Sequence, residues 1–167
     1  HDIRGNALNM KNVICMHEED FGILSKYSDN RIGETETRRS RRLVVSFIAT
    51  VGNYEYGFFW YFYQDGNIDY EVKLTGIVNS SAIAPGKKPK HGTLVAPQVV
   101  AHNHQHYFNV RVDMMIDGLK NSVYEVDTVT DPISKENRHG NAFSIKKTLI
   151  QNEKDAPRII DPFAART

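Results

Sequence analysis

The densest chemistry in this chain is carried by five consecutive residues, His102-Asn103-His104-Gln105-His106. In an extended segment, side chains at i and i+2 point to one side, with Cα atoms roughly 6.5–7 Å apart. Two imidazoles so placed can converge on a single metal ion at about 2.0–2.1 Å per bond. His104, His106, Phe108, Val110, Val112 and Met114 share one phase, and Gln105, Tyr107, Asn109, Arg111 and Asp113 the other. The pair therefore continues an apolar stripe, where neutral imidazoles are costly unless coordinated or hydrogen-bonded. Backbone carbonyls could satisfy them, but two histidines in phase point to a metal. His102 shares the phase but lies too far along from His106 to be assigned as a third ligand. Imidazole nitrogen suits copper, zinc, iron and nickel alike, so spacing leaves the metal open.

These residues need a sheet to hold them, and the period-two pattern predicts one. Residues 43–52 form a β-branched run suited to a strand covered on both faces. Residues 57–64 contain six consecutive aromatics, Phe58 to Tyr63, a composition that favours a strand. Asp65-Gly66-Asn67 supplies turn chemistry. Residues 68–78 then alternate, with Ile68, Tyr70, Val72 and Leu74 against Asp69, Glu71, Lys73 and Thr75. That makes 57–78 a hairpin with one wet face. Residues 79–97 read as a turn-rich basic loop around Pro85-Gly86-Lys87-Lys88-Pro89-Lys90. Strand character returns at 98–101, 104–116, 123–130 and 142–150, and Asp131-Pro132 ends the third of these. Residues 11–24 are less regular, and Arg38-Arg39-Ser40-Arg41-Arg42 leads into the first long strand. The fold class expected is all-β and mainly antiparallel, a β-sandwich.

Composition narrows the function. The 167 residues are 40% hydrophobic and 25% charged, an ordinary globular balance. A formal charge of +1 gives no electrostatic reason for a nucleic-acid or anionic-membrane partner. No apolar run is long enough to span a bilayer as a helix. The single cysteine, Cys15, excludes an internal disulfide and a thiolate-cluster metal site.

A second signal lies in Thr50-Val51-Gly52-Asn53-Tyr54-Glu55-Tyr56-Gly57. By itself a tyrosine between two strands is packing. Asn53-Tyr54-Glu55 followed by His104-x-His106, however, resembles the copper amine oxidase family. The similarity extends to residues 12–20, 41–63, Gly76-Ile77-Val78, His104 to Asp113, Asp117-Gly118 and residues 140–144. It implies that 1–167 are part of a single catalytic β-sandwich domain. It also implies that Tyr54 is oxidised in place to topaquinone, whose electrophilic carbonyl forms a Schiff base with a primary amine. Asn53 and Glu55 would flank that cofactor. His104 and His106 would hold copper(II), and Asp113 with the Met114 carbonyl a peripheral calcium ion. The implied reaction converts a primary amine and dioxygen to an aldehyde, ammonia and hydrogen peroxide. The implied assembly is a homodimer of the full-length protein.

Two of the family's parts have no match here. The family has a third copper histidine downstream, but His139, the only later histidine, lies in a turn-like context that does not fit. None of Asp2, Asp20 or Asp29 matches the motif of the family's upstream catalytic aspartate. Cys15 resembles a position that pairs, in some members, with an upstream cysteine. The chain is therefore expected to be a segment of a larger protein, inactive alone and completed by the remainder of the catalytic domain. The alternatives are a cupin-like metal-binding domain, which would need a glutamate soon after the histidines that is absent here, and a sheet with only a structural role.

Overall fold

The computed structural model describes residues 2–159, which form two compact units, 2–106 and 107–159. The first unit holds a four-stranded antiparallel sheet in the order β1-β2-β3-β4, formed by Cys15–Asp29, Glu34–Val51, Tyr54–Tyr63 and Ile68–Gly76. It also holds a three-stranded sheet, β5-β7-β6, from Ser80–Ala82, Val99–His102 and Gly92–Ala96. The second unit pairs β8 (Val123–Thr130) with β9 (Phe143–Ile150). The fold is all-β and antiparallel, as its alternating pattern requires. Among the described residues no helix is long and apolar enough to cross a membrane.

The register of the four-stranded sheet follows from its turns. Gly52-Asn53 forms a two-residue loop between β2 and β3, with Gly52 first and at positive φ (61°), a geometry that suits the twist of the flanking strands. It pairs Val51 with Tyr54 and carries the aromatic strand back along β2 to the Arg42–Tyr63 pair. At the far end Gly66, at φ 89°, turns the chain, and the Gly66 N–H donates to the Tyr63 carbonyl at 3.1 Å.

The two faces differ in what they bury. Tyr54, Tyr56, Phe58 and Trp60 share a face with Phe47, Tyr70 and Val72, where Phe47 stacks on Phe58 and Trp60 lies 4.5 Å from Tyr70. On the opposite face Val44, Ser46 and Tyr61 are buried. There the Arg42 guanidinium lies over Phe21 (4.0 Å) and Tyr61 (3.8 Å) and pairs with Glu19 at 2.6 Å. The charge is thus held by both aromatic faces and a carboxylate. The expectation that 43–52 is covered on both faces is not met within this chain. Leu43, Phe47 and Ile48 are exposed.

Three further expectations are corrected. Residues 11–24 contain the first two thirds of β1, a strand whose charged positions hid its pattern. The Glu18 and Asp20 carboxylates form ion pairs with Arg41 and Arg39, diagonal to their ladder partners Leu43 and Arg41, so these polar residues lie in the β1–β2 ladder and not in a loop. The Arg39 side chain, together with the Gly22 N–H, holds the Asp20 carboxyl down at about 2. Residues 79–97 include β5 and β6, short strands flanking the basic turn. Residues 104–116, expected as strand, are in no ladder. Alternation and β-propensity describe a residue's own preference, whereas a strand also requires a neighbour at hydrogen-bonding distance.

Beyond Asp20 the β1–β2 pair runs on past the end of β3 as a two-stranded ribbon, Ile23 facing Arg39 and Asp29 facing Glu34. Register shifts on either side of Ile23 mark a bulge. Ile23, Leu24, Tyr27 and Ile32 on this ribbon are exposed.

Gly76, the last residue of β4, faces Tyr54 at φ 110°. A Cβ there would lie 2.4 Å from the Asn53 carbonyl oxygen and 2.8 Å from the Tyr54 Cα. Gly76→Val should therefore destabilise the full-length protein by roughly 1–3 kcal/mol through backbone strain. Thermal denaturation checks this, and an unchanged Tm would contradict it.

Candidate metal centre

The centre is assembled from the first residues of β3 and the segment that leaves β7. At the end of β7, the His102 ring turns to β5, with Nε2 2.7 Å from the Ser81 hydroxyl. The next residue is anchored by its backbone, the Asn103 N–H donating to the His91 carbonyl at 3.1 Å. The chain then carries His104 and His106 to the face of β3 that bears Tyr54 and Tyr56. His104 Nε2 is 2.7 Å from the Tyr54 hydroxyl, and His106 Nδ1 is 2.9 Å from the Tyr56 hydroxyl. The two imidazoles cross at 72° with centroids 4.9 Å apart. The His106 ring meets the Tyr54 ring edge-on at 5.0 Å.

Proton positions follow for His104. Its Nδ1 lies 2.8 Å from the His102 carbonyl oxygen. A carbonyl only accepts, so Nδ1 carries the proton and Nε2 of the neutral ring presents a lone pair. The Tyr54 hydroxyl must then donate to Nε2. An imidazole lone pair, a second imidazole beside it and a phenol oxygen form a donor set suited to copper(II), so these residues fit that ion. His104 Nε2 cannot accept the Tyr54 proton and hold a metal at once, so metal binding at that nitrogen requires Tyr54 to give up this hydrogen bond.

The remaining candidates have other surroundings. The Asn53 carbonyl accepts from the Ile77 N–H at 2.8 Å, which fixes the turn entering β3. Glu55 points to the opposite face from Tyr54 and accepts from the Thr50 hydroxyl at 2.8 Å. It steadies the strand and does not touch the tyrosine ring through that bond. In the second unit, the Met114 carbonyl accepts from the Asn121 side-chain amide at 2.8 Å, and the same amide donates to the Gly118 carbonyl at 2.9 Å. Among the described residues no group of three or more His, Cys, Asp or Glu side chains could hold a metal ion.

Sequence reasoning passed over Tyr56. The signal was present: Tyr54 and Tyr56 have the same spacing as His104 and His106, and each tyrosine meets the histidine fifty residues on.

Comparison with known proteins bears on this geometry. The family model described as copper amine oxidase, enzyme domain, matches residues 1–167. The chain is 48% identical over 166 residues to the peroxisomal copper-containing diamine oxidase 1 of Nicotiana tabacum, a match covering 97% of this chain and 21% of that protein. It is 52% identical over 157 residues to the histamine oxidase of Arthrobacter globiformis, covering 94% of this chain and 23% of that one. The crystal structure of a copper-containing benzylamine oxidase from Hansenula polymorpha superposes with a TM-score of 0.76 at 34% identity, over 93% of this chain and 24% of that one. The chain spans less than a quarter of the length of each.

Proposed function

Because the chain belongs to the copper amine oxidase family, we propose that the full-length protein oxidatively deaminates primary amines through a topaquinone made from Tyr54. The amine would give up two electrons and two protons, one from its carbon and one from its nitrogen, to dioxygen, forming hydrogen peroxide. Water would supply the carbonyl oxygen of the aldehyde and release ammonia. The single observation that carries this reading is the 2.7 Å approach of the Tyr54 hydroxyl to His104 Nε2, with His106 beside the same ring. When bound, copper supplies one-electron redox chemistry with dioxygen, and the quinone supplies the electrophilic carbonyl that no ordinary side chain offers.

In this reading His104 and His106 are the copper ligands contributed by the chain. The His102 carbonyl sets the His104 tautomer, so the nitrogen facing Tyr54 is the one able to bind metal. Asn53 and Glu55 act on the tyrosine through the backbone, one fixing the turn before it and the other tying β3 to β2. Asp113 and the Met114 carbonyl are the proposed ligands of a peripheral calcium ion. That carbonyl keeps a second lone pair beside the one taken by Asn121. A homodimer is supported by the apolar side chains exposed on the β1–β2 ribbon, since an isolated two-stranded ribbon is at best marginally stable in water. The names of the relatives, acting on diamines and on histamine, support primary amines as the substrate class.

The test is mass spectrometry of the peptide carrying Tyr54 from the full-length protein, matured with copper in air. The expected residue has gained two oxygens and lost two hydrogens relative to tyrosine. Unmodified tyrosine in copper-loaded, aerated protein would overturn the proposal and favour a metal-binding domain without a quinone.

A further inference from the structure

Each imidazole of the pair has one nitrogen tied down. For His104 the tie is a backbone carbonyl, which no substitution at 102 removes. For His106 the only tie described is a side chain, the Tyr56 hydroxyl 2.9 Å from Nδ1, with the two rings edge-on at 5.7 Å. Tyr56 is itself well fixed. It lies on β3 in register with Ala49 of β2 and Leu74 of β4, two residues from Tyr54, and is half-buried.

We propose that Tyr56 is a positioning residue for His106, its phenol oxygen receiving the Nδ1–H so that the ring is oriented and Nε2 is the nitrogen left to bind metal. The proposal rests on the assignment of His106 as a copper ligand. A phenol can accept a hydrogen bond as well as donate one, so it suits this role. If Nδ1 accepted instead, the proton of the neutral ring would be on Nε2 and that nitrogen could not ligate. Partners of this kind orient the ring and raise its basicity, and their loss typically lowers metal affinity about 10–100-fold. Phenylalanine at 56 would keep the packing against Tyr54 and His106 and remove only the oxygen. The ring of His106 could then rotate about χ2 or adopt the other tautomer, and the cost should appear in the metal's own properties.

The experiment uses the full-length protein prepared free of copper and titrated with copper(II), with affinity read by chelator competition and coordination by electron paramagnetic resonance. Tyr56→Phe should bind copper(II) about 10–100-fold more weakly than wild type and alter the hyperfine pattern, with no more than the small fall in Tm expected from losing one hydrogen bond. In a His106→Ala background the same substitution should have no further effect. Wild-type affinity and spectrum in Tyr56→Phe, with copper lost in His106→Ala, would overturn the proposal and leave the copper site standing. Effects of the two substitutions that simply add would also overturn it, because Tyr56 would then act elsewhere. Full copper binding in His106→Ala would defeat both the site assignment and the proposal. If Tyr56→Phe does not fold, 3-fluorotyrosine at 56 keeps the shape and hydroxyl while weakening the oxygen as an acceptor. A shifted copper spectrum then supports the proposal, and an unchanged one overturns it.

Discussion

Tyr54→Phe in the full-length protein is expected to reduce amine turnover to background and to remove both the visible absorption and the quinone redox-cycling stain, while copper remains bound. The substitution deletes one atom, the phenol oxygen that donates to His104 Nε2. The ring that remains still packs beside Tyr56 at 6.2 Å and His106 at 5.0 Å. Losing one exposed hydrogen bond should cost about 1 kcal/mol of stability, too little to unfold a domain. Loss of function would therefore report missing chemistry rather than missing structure. The three readouts are peroxide release with a primary amine, quinone staining, and copper content by elemental analysis. Turnover above background in the phenylalanine variant would show that the electrophile lies elsewhere.

The next largest effect is expected from His104→Ala and His106→Ala, each of which should leave Tyr54 as unmodified tyrosine. Either change removes one of the two nitrogen donors proposed to hold copper. The loss in copper affinity should exceed the roughly 100-fold upper end seen when only a ligand's hydrogen-bond partner is removed. The two variants differ in a useful way. His104→Ala also removes the acceptor of the Tyr54 proton, whereas His106→Ala leaves that 2.7 Å hydrogen bond in place. Copper content and the mass of the Tyr54 peptide, measured on the same preparation, test both. Wild-type conversion of Tyr54 in either variant would remove that histidine from the site.

The sequence made some elements legible and hid others, for physical reasons that can be named. The strands read from 57–64, 68–78, 123–130 and 142–150 correspond to β3, β4, β8 and β9, because they are rich in aromatic or β-branched residues and turn residues bound them. β1 was hidden because its side chains answer to arginines on β2 rather than to a core, and ion pairs across a ladder leave no apolar period. β5 and β6 were hidden by the prolines and lysines between them, and each is too short to announce itself. The stretch after His102 was read as strand and is in no ladder, yet the inference that His104 and His106 face the same way holds geometrically. The nearness of Tyr54 to His104 could not come from spacing, since fifty residues separate them. It came only through the resemblance. Tyr56 was missed because a tyrosine next to an aromatic run looks like packing until its hydroxyl has a partner.

Two tyrosines and two histidines, each pair two residues apart and meeting tooth for tooth, behave like a comb and its matching rack. Slippage of β3 against its neighbours by a single residue would turn Tyr54 and Tyr56 to the far side and offer Glu55 and Gly57 to the imidazoles instead. A carboxylate and a bare backbone cannot be converted to a quinone. The alignment of one strand, set by the turn at Gly52 at one end and the turn at Gly66 at the other, thus decides which side chains meet the imidazoles.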